Sequence, residues 1–131
     1  MVQNNGLEFE YLVQAFFEER GVSVFETPGS NDYGADLVLY RNGKIAVIQC
    51  KCHSSPVGIH AVQEVTGAIK HYGADAGIVI SNQPFTRQAV ALAHSNHVLL
   101  IDGCMLQATM AGVSDEILFV DCLLYTSPSP R

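Results

Sequence analysis

Charge is scarce in this 131-residue sequence: 15% of its residues are Asp, Glu, Lys or Arg, against 48% that are apolar. That balance excludes a solvated, unfolded chain and reads as one packed domain, since the length suits one core better than two. Long apolar runs are absent as well. The longest are a few residues, well short of the roughly 20 that a membrane-spanning helix needs, and the N-terminus lacks the basic-then-apolar layout of a secretory signal. A cytoplasmic protein that contacts no membrane is the expectation. Basic charge is scarcest of all, with 7 Lys and Arg against 13 Asp and Glu and a formal net charge of −6. This excludes a protein that holds nucleic acid by bulk positive charge. It leaves room for a local basic site, because Lys51, His53, His60, Lys70 and His71 fall in one short segment. Paired cysteine spacing is missing too. Cys50, Cys52, Cys104 and Cys122 offer only Cys50-x-Cys52, and two residues so placed on one strand are badly set to bridge, so reduced thiols are expected.

What is present is led by KIAVIQCK at residues 44–51. β-Branched and small apolar residues fill it and Arg41-Asn42-Gly43 precedes it, the pattern of a strand entered from a tight turn. Alternation puts Ile45, Val47, Gln49 and Lys51 on one face and Ala46, Ile48 and Cys50 on the other. An amide and an ammonium thus end a strand that is otherwise apolar. Residues 35–40 read as the partner strand of an Asn42-Gly43 hairpin, and pairing about that turn brings Asp36 near Gln49 and Lys51. A carboxylate, an amide oxygen and a lysine at the mouth of one ribbon can hold a divalent cation with a water beside it.

Elsewhere, residues 6–20 show helical apolar spacing at Phe9, Leu12, Val13 and Phe16, with Phe17 beside them. Glu10 and Glu8 lie at opposite edges of that stripe, and periodicity does not choose between them. Residues 22–25 read as a short strand, and 27–34 as a loop that delivers Asp32 and Asp36. Ser55 and Pro56 read as the cap and first residue of a helix that runs to about Tyr72 and buries Val62, Val65, Ile69 and Tyr72. A strand at 77–81, a helix at about 86–94 with Ala89, Val90, Leu92 and Ala93 inside, and a strand at 98–101 follow. A short helix opened by Asp102-Gly103 and carrying Met105, Leu106 and Met110 completes the pattern. The order αβββαβαβα, with tight turns early and helices alternating later, predicts an α/β fold with a mixed sheet flanked by helices.

Each candidate residue has a plainer role. Asp36 can cap its loop, Lys51 can be a solvated strand end, and Glu10 can answer the helix dipole. Gln49 is harder to set aside, because an amide sharing a face with Ile45 and Val47 needs a partner when buried. Cys50, Cys52, His53 and His60 put four soft or borderline ligands in a short stretch, but the second paired knuckle of a structural zinc site is missing. His60 and Gln63, three apart on one helix, can meet a DNA phosphate or form a solvated face.

Together these pieces resemble the Mrr-type restriction endonuclease domain, a branch of the PD-(D/E)xK nucleases. The matching residues are Gly6-Leu7-Glu8-Phe9-Glu10, Asp32-Tyr33-Gly34-Ala35-Asp36 and Gln49-Cys50-Lys51. Val57-Gly58 with Val62-Gln63-Glu64, Phe85-Thr86-Arg87-Gln88-Ala89 and Leu100-Ile101-Asp102-Gly103 extend the likeness over about residues 4–112. Each pattern is short, and their order, separation and placement on the right elements make the case. Many relatives of the broader fold carry Glu where this chain has Gln49, whereas the Mrr branch commonly has Gln. The resemblance implies a restriction-endonuclease-like fold and an endonuclease that hydrolyses DNA phosphodiester bonds through a metal-activated water. It implies Asp36 as the main ligand of Mg²⁺, with Mn²⁺ as a substitute, and Gln49 as a second ligand or orienter. Lys51 would position or activate the water, and Glu10, chosen over Glu8, would be an outer or second-metal carboxylate. The backbone carbonyl of Cys50 can add a further oxygen. Two other readings share the fold: a Holliday-junction-resolving nuclease, and a non-catalytic module that binds DNA or a partner protein. Cutting both strands calls for two sites or two events, which a homodimer would supply. Target selection in such enzymes often sits in a separate domain, which is not visible here.

Residues 122–131 do not belong to this pattern. The Ser/Pro-rich stretch 125–131 has no periodicity, and the end resembles the translated sequencing-adapter peptides found on metagenome-assembled proteins. It is set apart as a fusion scar would be, with the natural protein expected to continue beyond it.

Overall fold

A two-residue turn sets the register on which the rest depends. Asn42 and Gly43 both take left-handed backbone angles, with φ of 55° and 78°, the pair of positive values that a type I′ hairpin turn requires. In the computed structural model, which describes residues 5–27 and 34–103, this turn joins β2 (Leu37–Arg41) to β3 (Lys44–Lys51). Arg41 pairs with Lys44 and Leu37 with Ile48, the register expected from the turn. Leu37, Leu39 and Ile48 are fully buried, each worth roughly 1.5–3 kcal/mol of apolar burial. A one-residue slip would turn all three to the other face, so the hydrophobic pattern and the turn hold the same register.

The hairpin is extended on both sides. β1 (Ser23–Glu26) runs antiparallel to β2. β4 (Ala76–Ser81) lies parallel to β3, and β5 (Val98–Ile101) parallel to β4. The sheet order is β1-β2-β3-β4-β5, so β3 is central and mixed. Alternation along it feeds two cores. Ala46 and Ile48 pack with Val13, Phe16 and Phe17 of α1 (Asn5–Glu19). Val47 packs with Ala61, Val62 and Val65 of α2 (Ile59–Tyr72) and with Ala89 and Ala93 of α3 (Arg87–Ser95). α2 and α3 each join parallel strands, which demand a helical crossover rather than a tight turn.

The structure differs from the sequence expectations in several particulars. The helix after β3 begins at Ile59 with Gly58 at its cap, and no side chain caps it. Ser55 and Pro56 do not start it, because Val57 is held extended: its N–H donates to the Pro84 carbonyl at 3.0 Å and its carbonyl accepts from Thr86 N–H at 2.9 Å. Thr86 in turn caps α3 through its side chain, which accepts from Ala89 N–H at 3.2 Å. Leu12 is 49% exposed rather than buried. The buried face of α1 is centred toward Phe17, and at 100° per residue that rotation carries Leu12 outward and Glu10 inward. Val90 is 53% exposed because α3 approaches the sheet on Ala89 and Ala93, two small residues one turn apart. Ile69 and Tyr72 are only partly buried. No helix among the described residues is long and apolar enough to cross a membrane. Asp32, Cys104, Cys122, the helix expected to carry Met105, Leu106 and Met110, and residues 122–131 lie outside the described residues.

Candidate active site

The site forms where β2 leaves the sheet. The strand begins at Leu37 rather than Ala35, so Asp36 sits just ahead of it, and neighbouring elements pin it there. Its N–H donates to the Ile48 carbonyl at 2.7 Å, and its carbonyl accepts from Thr27 N–H at 3.0 Å. The Thr27 hydroxyl donates to the Ala35 carbonyl at 2.8 Å. Gly34 has φ of +82°, and a Cβ there would fall on the Glu64 backbone carbonyl. Only glycine fits such a left-handed position so close to another backbone. The Asp-x-Gly-x-Asp pattern thus carries a packing requirement, binding the Asp36 loop to the middle of α2.

From that anchor the Asp36 carboxylate takes the place of a strand partner. Its Oδ2 accepts from Cys50 N–H at 2.8 Å. Glu10, turned inward by the rotation of α1, hydrogen-bonds to Asp36. Burial and the negative charges of Asp36 and Glu26 lift Glu10 from an ordinary 4.5 to about 7. Asp36 is also raised, chiefly by burial, against the pull of the Cys50 N–H, Lys51 and the Glu10 hydrogen bond. The two acids are thus hydrogen-bonded neighbours, each holding its proton more tightly than a free carboxyl. Burial, then Asp36 and Glu10, push the Cys50 thiol up.

On the opposite face of β3 the charges are complementary. Gln49 is 1% exposed, and its Nε2 donates to Glu64 Oε1 at 2.9 Å. Lys51 Nζ lies 3.3 Å from the same oxygen. Among the described residues, the Gln49 Oε1 has no hydrogen-bond partner. Leaving a buried acceptor unpaired costs about 1–3 kcal/mol, so an oxygen held this way is poised for a ligand. His60 and Gln63 lie exposed on α2, available to solvent and to any large ligand laid across the first turns of that helix.

Asp36, Gln49, Lys51 and Glu10 thus gather at the carboxyl end of β3, the end at which open α/β sheets place their ligands. Glu64 completes the group and was not singled out from the sequence. Its signal was the Val62-Gln63-Glu64 stretch, but only the packing of α2 over β3 gives it a place. Among the described residues, no three His, Cys, Asp or Glu side chains form a metal cage. The donors that remain suit a hard cation: Mg²⁺ binds through one or two carboxylates and keeps most of its waters. The Asp36 and Glu10 carboxyls, with the Gln49 amide oxygen at the same end of β3, are donors of that kind. A cavity of about 390 Å³, lined by Phe85, Val90, Ala93 and Leu100 among others, shares no residue with this group.

Comparison with known proteins bears on family and fold. A family model, Mrr_cat, described as restriction endonuclease, matches residues 1–110. A mitochondrial protein of Schizosaccharomyces pombe, itself described as uncharacterised, is 30% identical over 106 residues. That match takes in 73% of this chain and 42% of the relative. Among solved structures, the DNA modification-dependent restriction endonuclease AspBHI superposes with a TM-score of 0.64 at 18% identity, covering 95% of this chain and 36% of its own. The MspJI restriction endonuclease, in complex with a 27-mer oligonucleotide, gives 0.58 at 22%, covering 96% and 33%. These two show the shared fold. The chain spans less than half the length of the curated relative and about a third of each endonuclease.

Proposed function

This chain belongs to the Mrr_cat restriction endonuclease family, and from that premise we propose that it is a Mg²⁺-dependent endonuclease that hydrolyses DNA phosphodiester bonds. The observation that carries this reading is the convergence at the end of β3 of the Asp36–Glu10 acid pair on one side with Lys51 and the buried Gln49 Oε1 on the other, the Lys51 charge acting on Asp36. Asp36, Gln49 Oε1 and the Cys50 backbone carbonyl would hold the cation, with Glu10 as an outer carboxylate and Mn²⁺ as a substitute. When bound, a divalent cation offsets charge on the scissile phosphate and acidifies a water.

The chain's own residues do the rest. Asp36 is kept in place by Cys50 N–H and Thr27, so its carboxylate is preorganised. Glu10, raised to about 7 beside Asp36, would release its proton to solvent when a cation is held there. Lys51, tethered to Glu64, presents an ammonium beside the site that can orient the attacking water and stabilise the charge that develops on the phosphoryl oxygens. His60 and Gln63, exposed on α2, would contact the DNA backbone. This unit is residues 4–112, with 122–131 outside it. A homodimer would bring two such sites to the two strands, and a separate target-recognition domain would choose where they act. The free thiols of Cys50 and Cys52 accord with a cytoplasmic setting.

The test is nicking of supercoiled plasmid, methylated and unmethylated, with and without Mg²⁺ or Mn²⁺, beside a branched four-way junction. Cation-dependent nicking lost in Asp36→Ala is expected. A folded protein that cuts no duplex with either cation would overturn the proposal, and cleavage confined to the junction would move it to the junction-resolving class.

A further inference from the structure

The structure assigns Glu64 a part that nothing in β3 announces. We propose that Glu64 is a positioning residue that sets the polarity of the Gln49 amide and so makes its oxygen the one offered to the cation; this rests on the nuclease reading above. The two ends of a glutamine amide have nearly the same shape and opposite hydrogen-bonding character. On a face shared with Val47, shape alone does not decide which end points where. An ionised carboxylate does, because it only accepts. Glu64 Oε1 takes Gln49 Nε2 at 2.9 Å, and that contact leaves Oε1 as the buried end without a partner.

The same Glu64 oxygen takes Lys51 at 3.3 Å, so one atom orients both the amide and the ammonium of the Gln-x-Lys pair. Stability does not explain the arrangement. Glu64 is about half exposed, and an exposed ion pair is worth at most about 1 kcal/mol. Its backbone is nevertheless fixed, since Gly34 lies against its carbonyl and ties that turn of α2 to the Asp36 loop. The negative charge that a strand glutamate would bring to this position therefore stands one layer away, on α2. A neutral amide binds a hard cation less strongly than a carboxylate does, so its orientation matters more.

The experiment titrates Mg²⁺ and Mn²⁺ calorimetrically into the full chain, as wild type, Glu64→Gln and the exchanged pair Gln49→Glu/Glu64→Gln, with plasmid nicking in parallel. Glu64→Gln is expected to weaken cation binding by about 10- to 100-fold while the unfolding midpoint barely moves. The exchanged pair should recover near wild-type affinity, because a carboxylate then stands on β3 and accepts from the new amide on α2. Wild-type affinity in Glu64→Gln, or an exchanged pair as weak as the single variant, overturns the inference while leaving a cation-binding, DNA-cutting wild type intact. A wild type that neither binds cation nor nicks removes the nuclease reading and this inference with it. Hydrogen exchange at the Gln49 side-chain amide gives a readout independent of cation. Protection in wild type that is lost in Glu64→Ala is expected, and equal exchange in both overturns the orientation.

Discussion

The two faces of β3 handle charge in opposite ways within one site. On the α2 face, Lys51 and Gln49 share a Glu64 oxygen, so the positive charge has a negative partner and the amide a fixed direction. On the α1 side, Asp36 and Glu10 are acidic neighbours in hydrogen-bond contact, both raised by burial and Glu10 further by the charge of Asp36. The first half is satisfied by the protein itself. The second is less fully compensated: both acids are raised by burial, and the Lys51 charge offsets that only in part at Asp36. A fold that tolerates such imbalance at one spot, while its two cores are built of apolar side chains with Gln49 and Ser81 the buried polar residues among those described, marks that spot as the place for a ligand.

That contrast can be broken from either side. The largest effect is expected in Lys51→Ala, which empties the satisfied half of its charge: nicking should fall by about 10²- to 10⁴-fold, the scale of losing a positioned proton-handling group. Circular dichroism should show the fold unchanged, and retained cutting would refute the role. Gly34→Ala attacks the link between the halves. A side chain there must occupy a left-handed position against the Glu64 carbonyl, at a cost of at least about 1–3 kcal/mol, read as a lower urea midpoint.

The under-compensated half should declare itself through pH. Glu10 is raised from 4.5 to about 7, so between those values the folded chain keeps a proton that the unfolded chain has released. Stability is then fully present below about 4.5 and declines as pH rises through about 7. Thermal melts of metal-free protein should show that decline, and Mg²⁺ should flatten it by replacing the proton with a cation. Glu10→Gln should flatten it too. The smallest effect is expected in Glu8→Gln, at an exposed position one edge away. Stability should stay within about 0.5 kcal/mol and nicking should be unaltered, which separates Glu10 from its neighbour.

Much of this was legible in the chain because it is local. Asn42-Gly43 specifies a two-residue turn, alternation specifies the faces of β3, and the two together place Asp36 beside Gln49 and Lys51. The alternation of later strands with helices likewise announced the parallel half of the sheet. The failures are all non-local. Ser55-Pro56 looks like a helix start until Val57 is seen bridged to the Pro84–Thr86 segment. Leu12 and Val90 satisfy helical periodicity, but the rotation of α1 and the close approach of α3 on two alanines decide which edge of each stripe is covered. Glu64 was visible only as part of a short motif on a helix face.

The sequence by itself determined the strand register, the mixed architecture and the trio at the end of β3, since turn angles and a two-residue period act between neighbours. The resemblance favoured Glu10 over Glu8, but only tertiary structure turned Glu10 toward Asp36, by the angle at which α1 settles, and brought Glu64 across from α2. The physical reason is that helix rotation and crossover packing answer to volumes and contacts contributed by distant parts of the chain, which no local pattern encodes.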